Sequence, residues 1–215
     1  MFLNLPRTYW YLFLGTLINR LGTFVLPFLT IYLTSQQGLT PTTATLVVSC
    51  FGAGSFVSQL TGGELTDRLG RRPVMLVSFL AAPAAMFTLG FAHGLPIIVI
   101  CTLVLGFLTD LYRPAVNAAV ADMVPSADRT RAYGYIYWAV NVGAAIAPLL
   151  AGLLARSSYL LLFIGDALTT LAYGLIVLFT VHETRPTEVT IAARVSLQER
   201  VANLDASPFC CSLPR

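Results

Sequence analysis

Six apolar stretches alternate with short polar turns between residues 8 and 181. Their approximate limits are Thr8–Leu33, Thr42–Gly62, Val74–Phe91, Pro96–Val116, Ala132–Leu154 and Tyr159–Val181. A bilayer core ~30 Å thick takes about 20 residues of helix to cross, so each stretch predicts one membrane-spanning helix. The third is short for a span, and the fourth can run on toward Met123. The turns carry ordinary breakers: Gly38 with Pro41, Gly94-Leu95-Pro96, and Pro125-Ser126. The predicted fold class is an all-α membrane protein with six transmembrane helices.

Composition points the same way. Hydrophobic residues make up 56% of the chain and charged ones 11%, against about 25% charged in a soluble domain. That leaves too little polar surface to cover a water-soluble globule. The net charge of +3 is modest. Its arginines gather in turns rather than in a continuous stripe, so nucleic acid is not an expected partner. Arg7, Arg68, Arg71, Arg72, Arg129, Arg131, Arg185, Arg194, Arg200 and Arg215 fall on one side of the spans, and Arg156 alone on the other. Positive residues stay cytoplasmic, which predicts that both termini are cytoplasmic. The first apolar run is too long for a secretory signal, and no small-residue cleavage site follows it. The cluster Tyr9-Trp10-Tyr11 suits the headgroup level at the entrance to the first span.

Cys50 and Cys101 lie in apolar runs, and Cys210 and Cys211 are adjacent near the end. No metal-ligand spacing occurs, so neither a metal nor a disulfide framework is expected. His93 and His182 flank spans rather than sit inside them, which reads as two surface histidines.

Four charges fall where hydrocarbon should be: Arg20, Asp110, Arg113 and Asp166. Unpaired and facing lipid, each is strongly unfavourable, so they must face protein, water or one another. Asp110 and Arg113 are three residues apart and share a helix face. A rise of ~1.5 Å per residue puts Arg20 roughly 18 Å from the cytoplasmic end of its span, and Asp110 roughly 21 Å below the outer end of its own. Those depths allow an Arg20–Asp110 contact near mid-membrane, with Asp166 nearer the outer surface. Two readings stand. The charges hold helices together, or they line a substrate or proton path. A buried carboxylate can bind and release a proton because burial disfavours its charged form, while a nearby arginine opposes that shift. The working expectation is that Asp110 or Asp166 carries a coupled proton.

The stretch Gly63-Glu64-Leu65-Thr66-Asp67-Arg68-Leu69-Gly70-Arg71-Arg72-Pro73 sits between the second and third spans. Such a charged turn marks a membrane surface. Its Gly63, Asp67-Arg68 and Gly70-Arg71-Arg72 resemble the loop signature of the major facilitator superfamily between helices two and three. The resemblance covers residues 8 to 186. It implies a fold of twelve helices in two halves, each built of two inverted three-helix repeats. Residues 1–186 would be the N-terminal half. The resemblance also implies a charge network of Asp67, Arg71 and Asp122 that latches the outward-facing state, since charge-assisted bonds are the strong ones. The plainer reading is a helix-end cap at Asp122 and ordinary surface charges.

Other segments carry the resemblance further. Gly143, Pro148 and Gly152 are similar to the family's helix-five motif of antiporters, with Ala147 and Ala151 replacing two of its glycines. Pro148 should kink that helix. Gly22 and Pro27 resemble the helix-one pattern of drug exporters. Arg113-Pro114 falls where the family often has a helix-four arginine, without the glycines that usually follow. Gly52-Ala53-Gly54-Ser55 and Gly62-Gly63 let helix backbones approach. Trp138, inside the fifth span, packs on a neighbour or lines a cavity.

Residues 187–215 contain no further apolar run. Ile191, Val195, Val201 and Leu204 sit at amphipathic spacings, as in the family's linker between halves. Ser207–Arg215 fits neither linker nor span. The expectation is a truncated or frame-shifted product, with a six-helix protein that dimerises as the alternative.

The resemblance thus implies a secondary transporter, exporting small amphiphilic compounds against protons by alternating access. An uptake permease or an inactive half-transporter are the alternatives. An intramembrane enzyme is not expected: no histidine lies within a span to serve Ser55, and no cofactor is called for. The implied partners are a small-molecule substrate, a proton, the lipid bilayer of a bacterial inner membrane, and either a missing C-terminal half or a second copy.

Overall fold

The computed structural model describes residues 5–184, so the amphipathic segment and tail expected at 187–215 lie outside the described residues. The first span is α1 (Arg7–Leu21) followed by α2 (Val25–Ser35). The second is α3 (Pro41–Leu69) and the third α4 (Arg71–Gly90). The fourth is α5 (Leu95–Asp110) with α6 (Tyr112–Met123). A 3-10 turn, Ser126–Asp128, leads into α7 (Arg129–Ala155), and α8 (Tyr159–Thr180) closes the bundle. Six segments are long and apolar enough to cross a membrane.

Two boundaries depart from the sequence expectation. The second span does not end at Gly62. The helix continues to Leu69, so Glu64, Asp67 and Arg68 ride on its last two turns. There Glu64 and Arg68 pair at 2.6 Å as helical neighbours. Charge is no obstacle to helix once the side chains reach water, and such pairs support it. The turn itself is a single residue, Gly70, at φ 104°. A side chain at that φ would be strained, and a Cβ would also meet the Glu183 carboxylate at 2.6 Å. The second departure is that the first and fourth spans are each two helices and not one.

Packing follows a pseudo-twofold pattern. The second span packs on the fourth (α3 on α5) and the fifth on the first (α7 on α1). The third packs on the sixth (α4 on α8), the first on the sixth, and the fourth on the third. Exchanging spans one with four, two with five and three with six maps this contact set onto itself. Consecutive spans alternate in direction, so the two three-helix units are inverted, the arrangement in which substrate sites fall at the repeat interface.

Without water to drive helices together, close backbone approach supplies much of the packing. A Cβ at Gly54 would meet the Leu103 carbonyl at 2.1 Å, and one at Gly106 the Phe51 carbonyl at 2.1 Å. These two glycines bring α3 and α5 together. Gly143 plays the corresponding part between α7 and α1. A Cβ there would lie 2.3 Å from the Arg20 Cβ and 2.8 Å from its carbonyl carbon. Gly52 and Gly63, by contrast, meet nothing within 4 Å. Leu46, Phe56, Leu60, Leu168 and Phe179 point outward, as lipid-facing residues do. Tyr9 is fully buried and donates to the Ala132 carbonyl at 2.9 Å, pinning the start of α1 to α7. Trp138 is half-exposed and stacks on Phe13 with ring centroids 6.3 Å apart.

Candidate functional site

The interruption of the first span organises the site. The first four N–H positions of a helix have no partner inside it. In α2 these are Phe24, Val25, Leu26 and Pro27, and Pro27 has no N–H to satisfy. The Arg20 carbonyl, which would accept from Phe24 N–H in a continuous helix, is met by Thr23 N–H at 3.4 Å. Asp166 fills the gap from α8. One oxygen, Oδ2, accepts from Phe24 N–H and Val25 N–H, each at 3.1 Å. The neighbouring face of α8 fits the break closely: a Cβ at Gly165 would meet the Phe24 ring at 2.9 Å, and one at Gly22 would meet Thr169 Oγ1 at 1.9 Å.

A buried polar chain leads inward from there. Asn19 Nδ2 donates to Thr170 Oγ1 at 3.0 Å and Tyr112 OH donates to Asn19 Oδ1 at 3.3 Å. Arg20 Nη2 donates to Tyr112 OH at 2.6 Å, with its guanidinium 5.9 Å from that ring's centroid. Thr16 and Tyr173 hydroxyls lie 3.0 Å apart, and Tyr173 OH also donates to the Leu12 carbonyl at 3.2 Å. The expected Arg20–Asp110 ion pair is absent among the described residues. Asp110 turns instead to its helical neighbour, with Arg113 Nε 2.7 Å from Oδ1, and accepts from the Ser55 hydroxyl of α3. Three residues of helix separate Asp110 from Arg113, a shorter reach than across the bundle, and Tyr112 stands ready for Arg20. The Arg20 Nε is buried without a partner.

All four intramembrane charges nevertheless meet at one cavity of about 330 Å³. Arg20, Asp110, Arg113 and Asp166 line it together with Asn19 and Thr170. Arg20, Tyr112 and Arg113 also line a second cavity of about 580 Å³ beside α7, toward Tyr133 and Tyr137. Arg113 is the most exposed of the charged pair, its side chain 45% accessible against 10% for Asp110. The arrangement presents cationic and anionic side chains to a polar or charged group entering the cavity.

Sequence reasoning missed Asn19, Tyr112, Thr170, Tyr173 and Ser55. A usable signal was present. Thr16, Asn19 and Thr23 repeat at helical spacing on one face of the first span, and Asp166, Thr170 and Tyr173 do so on the last.

At the arginine-rich end, Arg71 lies between two carboxylates: Nε to Asp122 Oδ2 at 3.1 Å and Nη2 to Asp67 Oδ1 at 3.4 Å. The two contacts are unequal. Asp122 is largely enclosed whereas the Asp67 side chain is 72% exposed, so the Asp122 contact is the stronger. A third carboxylate joins from an unexpected place. Glu183, just past α8, accepts from Arg71 N–H at 2.9 Å and Arg72 N–H at 3.1 Å, capping α4. Arg72 in turn donates to the Leu178 carbonyl at 2.8 Å. On the same end of α3, Arg68 pairs with Glu64, and a Cβ at Gly63 would meet nothing within 4 Å. In α7, Gly143 touches Arg20, Gly152 has only Phe28 at 3.7 Å, and the helix runs without interruption through Pro148.

A six-span bundle of inverted repeats, with interrupted helices around a polar mid-bundle cavity, defines a class of membrane transport folds. The chain belongs to the major facilitator superfamily, whose family model matches residues 12–208. It is similar to two uncharacterised MFS-type transporters of Bacillus subtilis. YttB is 30% identical over 176 residues, covering 81% of this chain and 44% of the relative. YqjV is 28% identical over 168 residues, covering 78% and 41%. It is also 26% identical over 150 residues to the quinolone resistance protein NorA of Staphylococcus aureus, covering 69% of this chain and 38% of that one. Among solved structures, a peptide transporter POT in complex with sulfate superposes with a TM-score of 0.76 at 21% identity, covering 96% of this chain and 46% of that one. A D-xylose-proton symporter gives 0.63 at 19%, covering 91% and 52%. These likenesses establish the fold. The chain spans about half the length of the curated relatives it matches.

Proposed function

We propose that this six-span unit forms one wall of a secondary transporter that exports small amphiphilic compounds in exchange for protons by alternating access. The observation that carries the reading is the convergence of Arg20, Asp110, Arg113 and Asp166 on one cavity between the interrupted first and fourth spans. Ionised Asp110 holds Arg113; a proton on Asp110 releases it toward substrate. Proton and substrate thereby compete through one ion pair. Family membership and the likeness to a quinolone resistance protein support export. The arginine-rich turns face the cytoplasm of a bacterial inner membrane in this reading. Arg71, between Asp67 and Asp122, latches the outward-facing state; Gly70 makes the turn, Arg72 follows it, and Gly63 and Arg68 lie on the helix end that leads into it. Gly143, Pro148 and Gly152 set the path of α7 beside Arg20. The opposite wall comes from a second six-span unit, a C-terminal half or a second copy.

The test is quinolone accumulation in everted membrane vesicles energised with a pH gradient. Accumulation that collapses with a protonophore and is lost in both Asp110→Asn and Arg113→Gln agrees with the proposal. Proton-driven movement in the reverse sense selects an uptake permease, a reading favoured by Ala147 and Ala151 where the antiporter motif has glycine. Vesicles that stay inert, with the chain alone and when it is fused to the C-terminal half of a relative such as YttB, mark an inactive half-transporter.

A further inference from the structure

Asp110 and Asp166 share a cavity, but their surroundings differ in kind. Asp110 is met by side chains only, Arg113 and Ser55, which can rotate away. Asp166 is met chiefly by backbone, with the Thr170 hydroxyl one turn along its own helix as a side-chain partner. Phe24 and Val25 N–H both point at one of its oxygens, and neither can turn away unless α2 itself moves. The contact also has no slack around it. Gly165 lies against the Phe24 ring, and Gly22 lies against Thr169 one turn along α8. Three successive features of α8 therefore grip residues 22 to 25. The gripped helix then lends Val25, Leu26 and Leu29 to the wall of the cavity, whereas Asn19, Arg20 and Thr23 precede the grip or lie within it. Whatever fixes the angle at the break fixes the part of the cavity wall that α2 supplies.

We infer that Asp166 is a positioning residue: its carboxylate holds the first turn of α2 against α8 and so sets the cavity lip away from the arginine-rich turns. The holding is a matter of acceptor oxygens. An amide in place of the carboxylate keeps one oxygen facing the two N–H groups, while an alkyl side chain keeps none and leaves two donors buried and unpaired. The anchoring does not depend on the transport reading, because it is read from the geometry of the cavity wall and not from substrate movement.

The test uses the full chain in native membrane vesicles, with its native cysteines replaced by serine. Single cysteines are placed at Leu26, on the α2 side of the cavity, and at Thr109, on the α5 side. Each is reacted with a membrane-impermeant maleimide. Asp166→Asn is expected to leave both rates near the wild-type values. Asp166→Leu is expected to change the Leu26 rate by about five-fold or more, the scale set by losing a buried acceptor, and to leave the Thr109 rate unchanged. An unchanged Leu26 rate in Asp166→Leu overturns the inference, as does an equal change at both positions. If the leucine variant fails to accumulate, hydrogen exchange in the unmodified chain decides. The amides of Phe24 and Val25 should exchange at least ~100-fold more slowly than unstructured amides; exchange at the unprotected rate overturns the anchor.

Discussion

The first and fourth spans occupy equivalent places in the two inverted repeats, and both are interrupted three residues before a proline. Pro27 is the third residue of α2 and Pro114 the third of α6. The outcomes differ. In the fourth span the junction is one residue, Leu111, which keeps helical angles of φ −60° and ψ −30°. The only bond that must be missing is the one Pro114 cannot make. The sixth span's counterpart there is the third, and it contributes a hydroxyl: Ser78 Oγ donates to the Leu108 carbonyl at 2.5 Å. In the first span the junction is three residues wide, and two N–H groups leave the helix for Asp166. A proline decides where a helix can part. The neighbouring helix decides how far, by offering either a donor to the carbonyl side or an acceptor to the amide side.

The hardest blow to this arrangement is steric. Gly143→Val forces atoms into the Arg20 backbone, and the strain falls on the break of the first span. We expect a loss of about 3 kcal/mol or more, read as thermal unfolding in detergent. A variant that unfolds at the wild-type temperature would mean that α7 does not brace the break. Next is the anchor itself. Asp166→Leu leaves two buried donors unpaired and should lower stability by roughly 2–5 kcal/mol, with Asp166→Asn recovering most of it. The equivalent change at the fourth span, Ser78→Ala, removes one hydroxyl bond and should cost about 1 kcal/mol or less. Equal losses at Asp166 and Ser78 would erase the distinction between the two breaks. The smallest effect is Pro114→Ala, which restores one N–H to an already helical junction and should stabilise by under ~1 kcal/mol. Pro27→Ala should not close the first break, since Asp166 still competes for the amides. Thermal unfolding in detergent checks the first, and protection of residues 22–25 by hydrogen exchange checks the second.

The spans themselves were legible because their signal is coarse: about 20 apolar residues between turns. The stop of the second span was not, because Glu64, Asp67 and Arg68 read as a loop when they are a solvated helix end. The four intramembrane charges stood out by their cost in hydrocarbon, and one cavity is lined by all of them. Their pairing was out of reach. Depth along a span fixes which residues are level, but not which of two level partners a side chain turns to, and Arg20 turned to Tyr112 and not to Asp110. The part of Asp166 was also hidden. Its partners are main-chain groups that a sequence does not distinguish, freed by a break that Gly22 and Pro27 permit without requiring. Glu183 was invisible for the same reason, capping α4 through backbone across 112 positions.

The most direct measurement is proton movement in liposomes that hold the chain fused to the C-terminal half of a relative such as YttB and a trapped pH-sensitive dye, with a quinolone added outside. The account predicts a quinolone-dependent pH change that persists in Asp166→Asn and vanishes in Asp110→Asn. A change that survives in Asp110→Asn and disappears in Asp166→Asn would contradict it, placing the proton on the carboxylate that anchors α2.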